Sequence, residues 1–172
     1  IREGTLDFVL LKPIDSQFFI SLKKFTPSGI LEIILGVSLL LYCVRINQIN
    51  LNLSFLSLCL ITMICSISIL YSFWFFISTT TIWFVKTSNA TEVLRSFLYI
   101  GRFPLTSFSF SLRIFFSIFI PIAFITTIPS EVFLGLAQIW KIILEILVTG
   151  IFLISSRKFW LFALRYYTSA SS

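Results

Sequence analysis

Four ionisable side chains stand within or beside the apolar stretches of this 172-residue chain and could do chemistry there. They are Glu32, Arg113, Lys141 and Glu145. Such groups can relay protons or line a path for ions, because they place fixed charges in an apolar medium. Burying one costs about 2.5–3.5 kcal/mol even on the most lenient insertion scale. All four can also be placed near the ends of apolar segments, where a long side chain reaches the headgroup region.

The sequence offers little for catalysis. It contains no His, which removes the commonest general base and metal ligand. Cys43, Cys59 and Cys65 have no C-x-x-C spacing, so we predict no metal site. No glycine-rich phosphate loop occurs, which excludes the usual mode of ATP binding. We predict that this chain is not an enzyme and holds no cofactor of its own.

The longest uncharged run of the chain extends from Ile46 to Val85 and contains neither Gly nor Pro. A helix that crosses a bilayer needs about 20 apolar residues. The run could form two spans with a tight turn, but nothing in it resembles a turn. We therefore predict one long helix that begins near Leu51 and ends near Val85. Because apolar and polar residues do not alternate, a membrane β-barrel is excluded.

The composition agrees with a polytopic helical membrane protein of the all-α class. Hydrophobic residues make up 58% and charged residues 12% of the chain, whereas globular chains carry about 25% charged residues. We predict four spans, of which the third contains Pro121 and should kink or break there. Pro129 should start a further helix with Ser130 as its cap. The other three spans cover about 30–44, the long run, and a last apolar run that ends at Ser156.

Short helices should flank the spans at the membrane surface. Residues 1–25 are too charged to cross a bilayer, and Pro13 should end a first helix there. Asp15 can cap a second one. These helices could lie along the membrane face or act as a simple tether. A third interfacial helix is predicted at 89–100, where Asn89 and Glu92 resemble a capping box.

The number of Lys and Arg residues alternates along the chain. The segment before the first span is rich in them, the next loop is poor, and the following three segments are rich, poor and rich. The positive-inside rule then puts both ends of this chain in the cytoplasm. Splitting the long run into two spans would break the alternation. The net charge of +6 is explained by basic cytoplasmic loops, so we predict the lipid bilayer, and no nucleic acid, as a partner.

Two stretches carry a family resemblance. The first is Gly4–Asp15, a G-x-L-D-x-x-L-L-K-P pattern, and the second runs from Arg102 to Glu131 with its Arg-Phe-Pro and Ile-Pro-Ile-Ala-Phe groups. In this order they resemble the permease subunits of bacterial ATP-binding-cassette exporters with the type-2 (ABC-2) membrane fold. The closest group is largely uncharacterised, and some of its members are linked to export of toxic organic cations such as viologens.

The resemblance implies a six-span permease of the inner membrane, of which this chain would hold the last four spans and lack the first two. It implies a cytoplasmic coupling region at 1–27 and a transmembrane region at 28–172, with an outer re-entrant hairpin at about 121–140. ATP and Mg²⁺ would bind a separate ATPase subunit, and a second permease, identical or related, would complete the pathway. The residues expected to contact the ATPase are Gly4, Leu6, Asp7, Leu11, Lys12, Pro13 and Asp15. Those expected to line or gate the path are Glu32, Arg113, Pro121 and Pro129.

An ATP-independent channel or secondary carrier is the main alternative, with the four ionisable residues as its path. A membrane-embedded enzyme is a third reading, which the lack of His disfavours. Co-purification with a nucleotide-binding subunit separates the exporter from both.

Overall fold

A computed structural model describes residues 5–22, 27–46, 52–80, 82–83, 92, 95–96, 99, 103, 107–118 and 121–166 of the protein. All regular elements in these ranges are helical, which confirms the all-α class. Three of the helices, α3, α4 and α7, are long and apolar enough to cross a membrane. The helices are α1 (Thr5–Leu10), α2 (Ser16–Leu22), α3 (Ser28–Ile46), α4 (Leu53–Thr80), α5 (Phe110–Ile118), α6 (Ile128–Phe133) and α7 (Ile139–Leu164).

The two short helices at the start of the chain form as predicted. Helix α1 ends at Leu10, before Pro13, and α2 begins directly after Asp15. The backbone N–H of Phe18 donates to Asp15 Oδ1 at 3.0 Å, which is the N-cap bond that the sequence predicts. We call α1, the turn and α2 together (residues 5–22) the N-terminal hairpin.

The long apolar run forms one uninterrupted helix, as predicted. Helix α4 has 28 residues and is therefore about 42 Å long, more than the roughly 30 Å of a hydrocarbon core. The predicted end at Val85 was too late, because α4 ends at Thr80 and a turn follows at Ile82 and Trp83.

Helices α4 and α7 pack side by side and run in the same direction. Cys59 and Ile142 share one buried cluster near the start of both helices. Phe75 and Trp160 share another near their ends. Since the two helices are parallel, the chain between Thr80 and Ile139 must return from one end of the pair to the other.

Small polar side chains line the contact between α4 and α7. Thr62, Ser66, Ser72 and Thr79 are buried on α4, as is Thr149 on α7. Small residues let two helices approach closely inside a membrane. Most of these hydroxyls donate to carbonyls of their own helix, as Thr79 Oγ1 does to Phe75 O at 2.7 Å. Each of these five described hydroxyls therefore has a hydrogen-bond partner.

The segment between α4 and α7 is not one continuous helix, because it is interrupted at Pro121, as predicted. Helix α5 has nine residues, or about 14 Å, which is too short to cross a bilayer alone. Pro121 itself is not helical, and a single π-helical turn follows at Ala123–Thr127. Residues 119–120 and most of 84–106 lie outside the described part of the chain, including most of the predicted interfacial helix at 89–100. The third of the four predicted spans and the outer re-entrant hairpin stay predictions.

The prediction that Ser130 caps a new helix was wrong. The π-helical turn continues directly into α6, and Ser130 Oγ donates backwards to Thr126 O at 2.6 Å. Pro129 stands in the first turn of α6, where a missing N–H costs little.

A glycine turn ends α6 and lets the chain enter α7. Gly135 has φ +70°, a conformation that favours Gly. Its N–H donates to Val132 O at 2.9 Å, and Leu136 N–H donates to Glu131 O at 2.8 Å. These two bonds form a Schellman motif. Helix α7 then runs on to Leu164, past the predicted end of the apolar run at Ser156, and its Arg157 pairs with Asp15 of the N-terminal hairpin.

Candidate functional site

The N-terminal hairpin is fastened to the end of α7 by one arginine. Arg157 Nη1 donates to Asp15 Oδ1 at 2.9 Å, and Nη2 contacts Asp15 Oδ2. Nη1 also donates to Gln17 Oε1 at 3.2 Å. The hydrogen bonds from Arg157, followed by the one from the Phe18 N–H, hold the pKa of the Asp15 carboxyl below its usual value. The guanidinium of Arg157 thus binds both Asp15, which caps α2, and Gln17.

Two further bonds attach α2 to both long helices. Trp160 Nε1 donates to Ser16 Oγ at 3.1 Å. Ser21 Oγ and Tyr71 Oη lie 2.9 Å apart, which joins α2 to α4. Ile20 of α2 packs against the buried cluster that Phe75 of α4 and Trp160 of α7 form. The hairpin is therefore docked on the C-terminal ends of α4 and α7 together.

The N-terminal hairpin also carries an uncovered apolar surface. Its members Phe8, Leu11, Ile14 and Phe18 are all exposed. Lys12 lies over the ring of Phe19, with Nζ 4.2 Å from the ring centroid. An exposed apolar group of this size with a cation beside it is typical of a surface that meets a partner or a membrane.

The structure locates most of the predicted coupling residues in this hairpin. Leu11, Lys12 and Pro13 are exposed in the turn between α1 and α2. Leu6 and Asp7 belong to α1, and their side chains lie outside the described part, as does Gly4 altogether. Among the described coupling residues, Asp15 contacts a long helix through Arg157 of α7. Arg157 was not among the predicted site residues.

The predicted path residues do not form one cluster. Glu32 is exposed on α3, whose described side chains are mostly exposed. Arg113 lies in α5, but its side chain is outside the described part. Pro121 is fully buried, and its carbonyl accepts from the N–H groups of Phe124 and Ile125. Pro129 is buried beside α4 and borders a cavity.

That cavity has a volume of about 330 Å³ and lies between α3, α4, the π-helical turn and α6. Its wall is mostly apolar, with three hydroxyls from Ser66, Thr126 and Ser130. It is large enough for a small amphiphile. We call it the inter-helix cavity, and its lining is Leu40, Met63, Ser66, Ile67, Leu70, Ile125, Thr126, Pro129, Ser130 and Phe133.

Glu145 does not reach the headgroup region, as a position near a span end would have allowed. Its side chain is fully buried against α4, about 9 Å along α7 from its first residue. Glu145 Oε1 and Ser66 Oγ are 3.0 Å apart, and Ser66 Oγ also lies 3.0 Å from the carbonyl oxygen of Phe124 in the π-helical turn. Among the described residues, no partner lies within hydrogen-bonding distance of Glu145 Oε2.

Lys141 does not neutralise Glu145, although the two stand four residues apart. Lys141 Nζ instead contacts Glu131 Oε2 at 2.6 Å and ties the start of α7 to α6. Sequence spacing carried a signal for the burial of Glu145, since Ile142, Glu145 and Thr149 follow each other at helical intervals on the buried face of α7.

Comparisons with known proteins agree with this architecture. A family model described as "ABC-2 family transporter protein" matches residues 1–171, nearly the whole chain. A search of curated proteins and a search of solved structures each gave no match. The family match and the three apolar helices describe a multi-pass membrane protein. The chain therefore belongs to the ABC-2 family of transporter proteins.

Proposed function

We propose that this chain is the membrane-spanning permease subunit of an ATP-driven exporter and that its N-terminal hairpin receives the motion of a separate ATPase subunit. The observation that carries the proposal is the contact of Arg157 with Asp15 and Gln17. It joins a surface hairpin, which has an uncovered apolar side, to a helix that runs the length of the membrane.

The geometry suits the transmission of force. A push on the hairpin acts on α7 through Arg157 and Trp160, and on α4 through Tyr71. Both helices are rigid and long, and their far portions carry Ser66 and Glu145 beside the inter-helix cavity. Displacement of the hairpin would thus change the spacing of the helices that border this cavity.

The remaining parts of the proposal follow from charge and family. Arg157, Lys158 and Arg165 stand at the hairpin end of α7, which makes that end cytoplasmic by the positive-inside rule. The membrane is the bacterial inner membrane. ATP and Mg²⁺ are held by the ATPase subunit, and a second permease subunit, identical or related, completes the pathway.

The buried carboxylate of Glu145 keeps a second candidate function open. An intramembrane carboxylate beside a cavity also suits an ion-coupled carrier that works without ATP. The two candidates differ in one testable respect, because the carrier needs no ATPase subunit.

Leu11→Glu is expected to reduce capture of the ATPase subunit at least tenfold. Leu11 is 82% exposed at the tip of the hairpin, and a carboxylate there would be desolvated in an apolar interface. The measurement is pull-down of the co-expressed ATPase by the tagged permease in mild detergent.

Leu136→Glu is the matched control, because Leu136 is 70% exposed at the opposite end of α7 and should leave capture unchanged. If neither variant alters capture, the hairpin is not the docking surface. If the parent chain itself captures no ATPase, the ATP-independent carrier is favoured.

Single-cysteine labelling should show Glu131→Cys reacting with an impermeant thiol reagent from outside, and Lys158→Cys reacting only after the cytoplasmic face is opened. The reason is that the chain direction of α7 places Glu131 and Lys158 at opposite ends. The background is the variant in which Cys43, Cys59 and Cys65 are replaced by Ser. Labelling of both sites from the same side would contradict the proposed orientation.

A further inference from the structure

The hydroxyl of Ser66 has one proton to donate, but two oxygen atoms that could accept it lie within hydrogen-bonding distance. Its Oγ lies 3.0 Å from the carbonyl oxygen of Phe124 and 3.0 Å from Glu145 Oε1. A hydroxyl can donate only once, although it can accept as well. If Glu145 were an ionised carboxylate, it could only accept, and either it or the Phe124 carbonyl would lose its bond.

The protonated acid satisfies the same geometry completely. Glu145 Oε1–H then donates to Ser66 Oγ, and Ser66 O–H donates to Phe124 O. The other carboxyl oxygen, Oε2, becomes the carbonyl oxygen of a neutral acid, for which a missing partner costs far less than for an ionised oxygen. We infer that Glu145 is a proton-binding site inside the membrane, and that its proton holds the π-helical turn against α4 through Ser66.

Among the described side chains, which do not include that of Arg113 on α5, no cation contacts Glu145. Helix α4 carries no Asp, Glu, Lys or Arg between Leu53 and Thr80, and its Cys59 and Cys65 side chains are buried. The π-helical turn has no charged residue, and Glu131 of α6 is already paired with Lys141 of α7. On α3, the charged residues Glu32 and Arg45 are both exposed.

Loss of the proton would free one wall of the inter-helix cavity. An ionised Glu145 would accept the hydrogen bond that Ser66 Oγ can donate, so Phe124 O would lose this donor. Ile125 and Thr126 of the same turn line the cavity. Single π-helical turns are rare local irregularities that occur frequently at functional sites. Proton binding at Glu145 and the shape of the cavity are therefore linked, whether or not an ATPase drives transport.

Infrared spectroscopy of the full chain in lipid nanodiscs tests the protonation. At about pH 7, where an ordinary Glu is ionised, the parent should show the C=O stretch of a protonated carboxylic acid. Glu145→Gln should remove this band. Glu131→Gln, the matched control, should keep it, because Glu131 is paired with Lys141. A parent without the band, or a band that survives in Glu145→Gln, overturns the inference.

Hydrogen exchange of peptides from 121–133 tests the link to the π-helical turn. Ser66→Ala should speed their exchange about tenfold, since a tertiary hydrogen bond is lost. Glu145→Gln should leave exchange at the parent level at neutral pH, because its amide N–H can replace the acid as donor to Ser66. Ser57→Ala, which removes an exposed hydroxyl of the same helix, is the control.

Raising the pH to about 9 completes the test, after correction for intrinsic exchange. The parent should then lose protection at 121–133, and Glu145→Gln should keep it. Equal pH responses of the parent and Glu145→Gln would show that the proton on Glu145 does not hold the turn. Unchanged exchange in Ser66→Ala would show that Ser66 does not do so.

Discussion

Replacing Arg157 by Leu is expected to remove most of the substrate-stimulated ATP hydrolysis of the assembled transporter, by about tenfold or more, while the chain still inserts and folds. Arg157 is the residue through which α7 holds both Asp15 and Gln17 of the N-terminal hairpin. Both charged side chains are 41% exposed, so the pair contributes only about 1 kcal/mol or less to stability. Its loss should therefore affect coupling more than folding.

The measurement is ATPase activity of the reconstituted complex with and without substrate, at matched permease content. Arg157→Lys should be intermediate, because Lys keeps the charge but loses the fork that binds two carboxylate oxygens. Lys158→Leu is the control, since Lys158 is the exposed neighbour on the same turn. Full stimulation in Arg157→Leu would show that the hairpin transmits motion by another contact or not at all.

The ion pair should be intact throughout the neutral range. The pKa of Asp15 is lowered in the folded chain by Arg157 and the Phe18 N–H. A lowered carboxyl pKa means that the stabilising contribution is present above the unfolded value of about 3.9 and is lost as the pH falls through the folded value. Assays of Arg157 variants at neutral pH thus compare a formed contact with an absent one.

Trp160→Ala is expected to destabilise the chain by about 3–5 kcal/mol, the range for deleting a large buried aromatic ring. Trp160 is 3% exposed and packs edge-to-face on Phe75, with ring centroids 5.2 Å apart. Its indole N–H also donates a hydrogen bond to Ser16 Oγ. The variant should lower the apparent melting temperature in detergent and let protease cut the hairpin region early.

Trp160→Phe separates packing from hydrogen bonding. It keeps a ring beside Phe75 but cannot donate to Ser16, so we expect a smaller loss, about 1 kcal/mol. Trp140→Ala is the control at the other end of α7, where Trp140 is exposed. If Trp160→Ala melts like the control, the aromatic cluster does not fasten the hairpin to α4 and α7.

Local features of this protein could be predicted from its sequence. Apolar length gave the position of α4 and of α3, because a helix satisfies its backbone within the segment itself and needs no distant partner in lipid. The break at Pro121 and the cap at Asp15 were also correct, since each depends on only a few neighbouring residues. The end of the last helix was predicted too early, since α7 passes Arg157 and Lys158 and continues through the apolar residues 159–164.

Tertiary structure alone decided which residues meet. Hydropathy treats Glu145 and Glu131 alike, yet one is buried beside Ser66 and the other is paired with Lys141. The difference arises from the parallel packing of α4 and α7, which no local pattern specifies. Asp15 and Arg157 are 142 positions apart, and Ser66 and Glu145 are 79 positions apart. A side chain's partner, and hence its protonation and its role, is set by such distant contacts, because helices of similar apolar character can pack against one another in many ways.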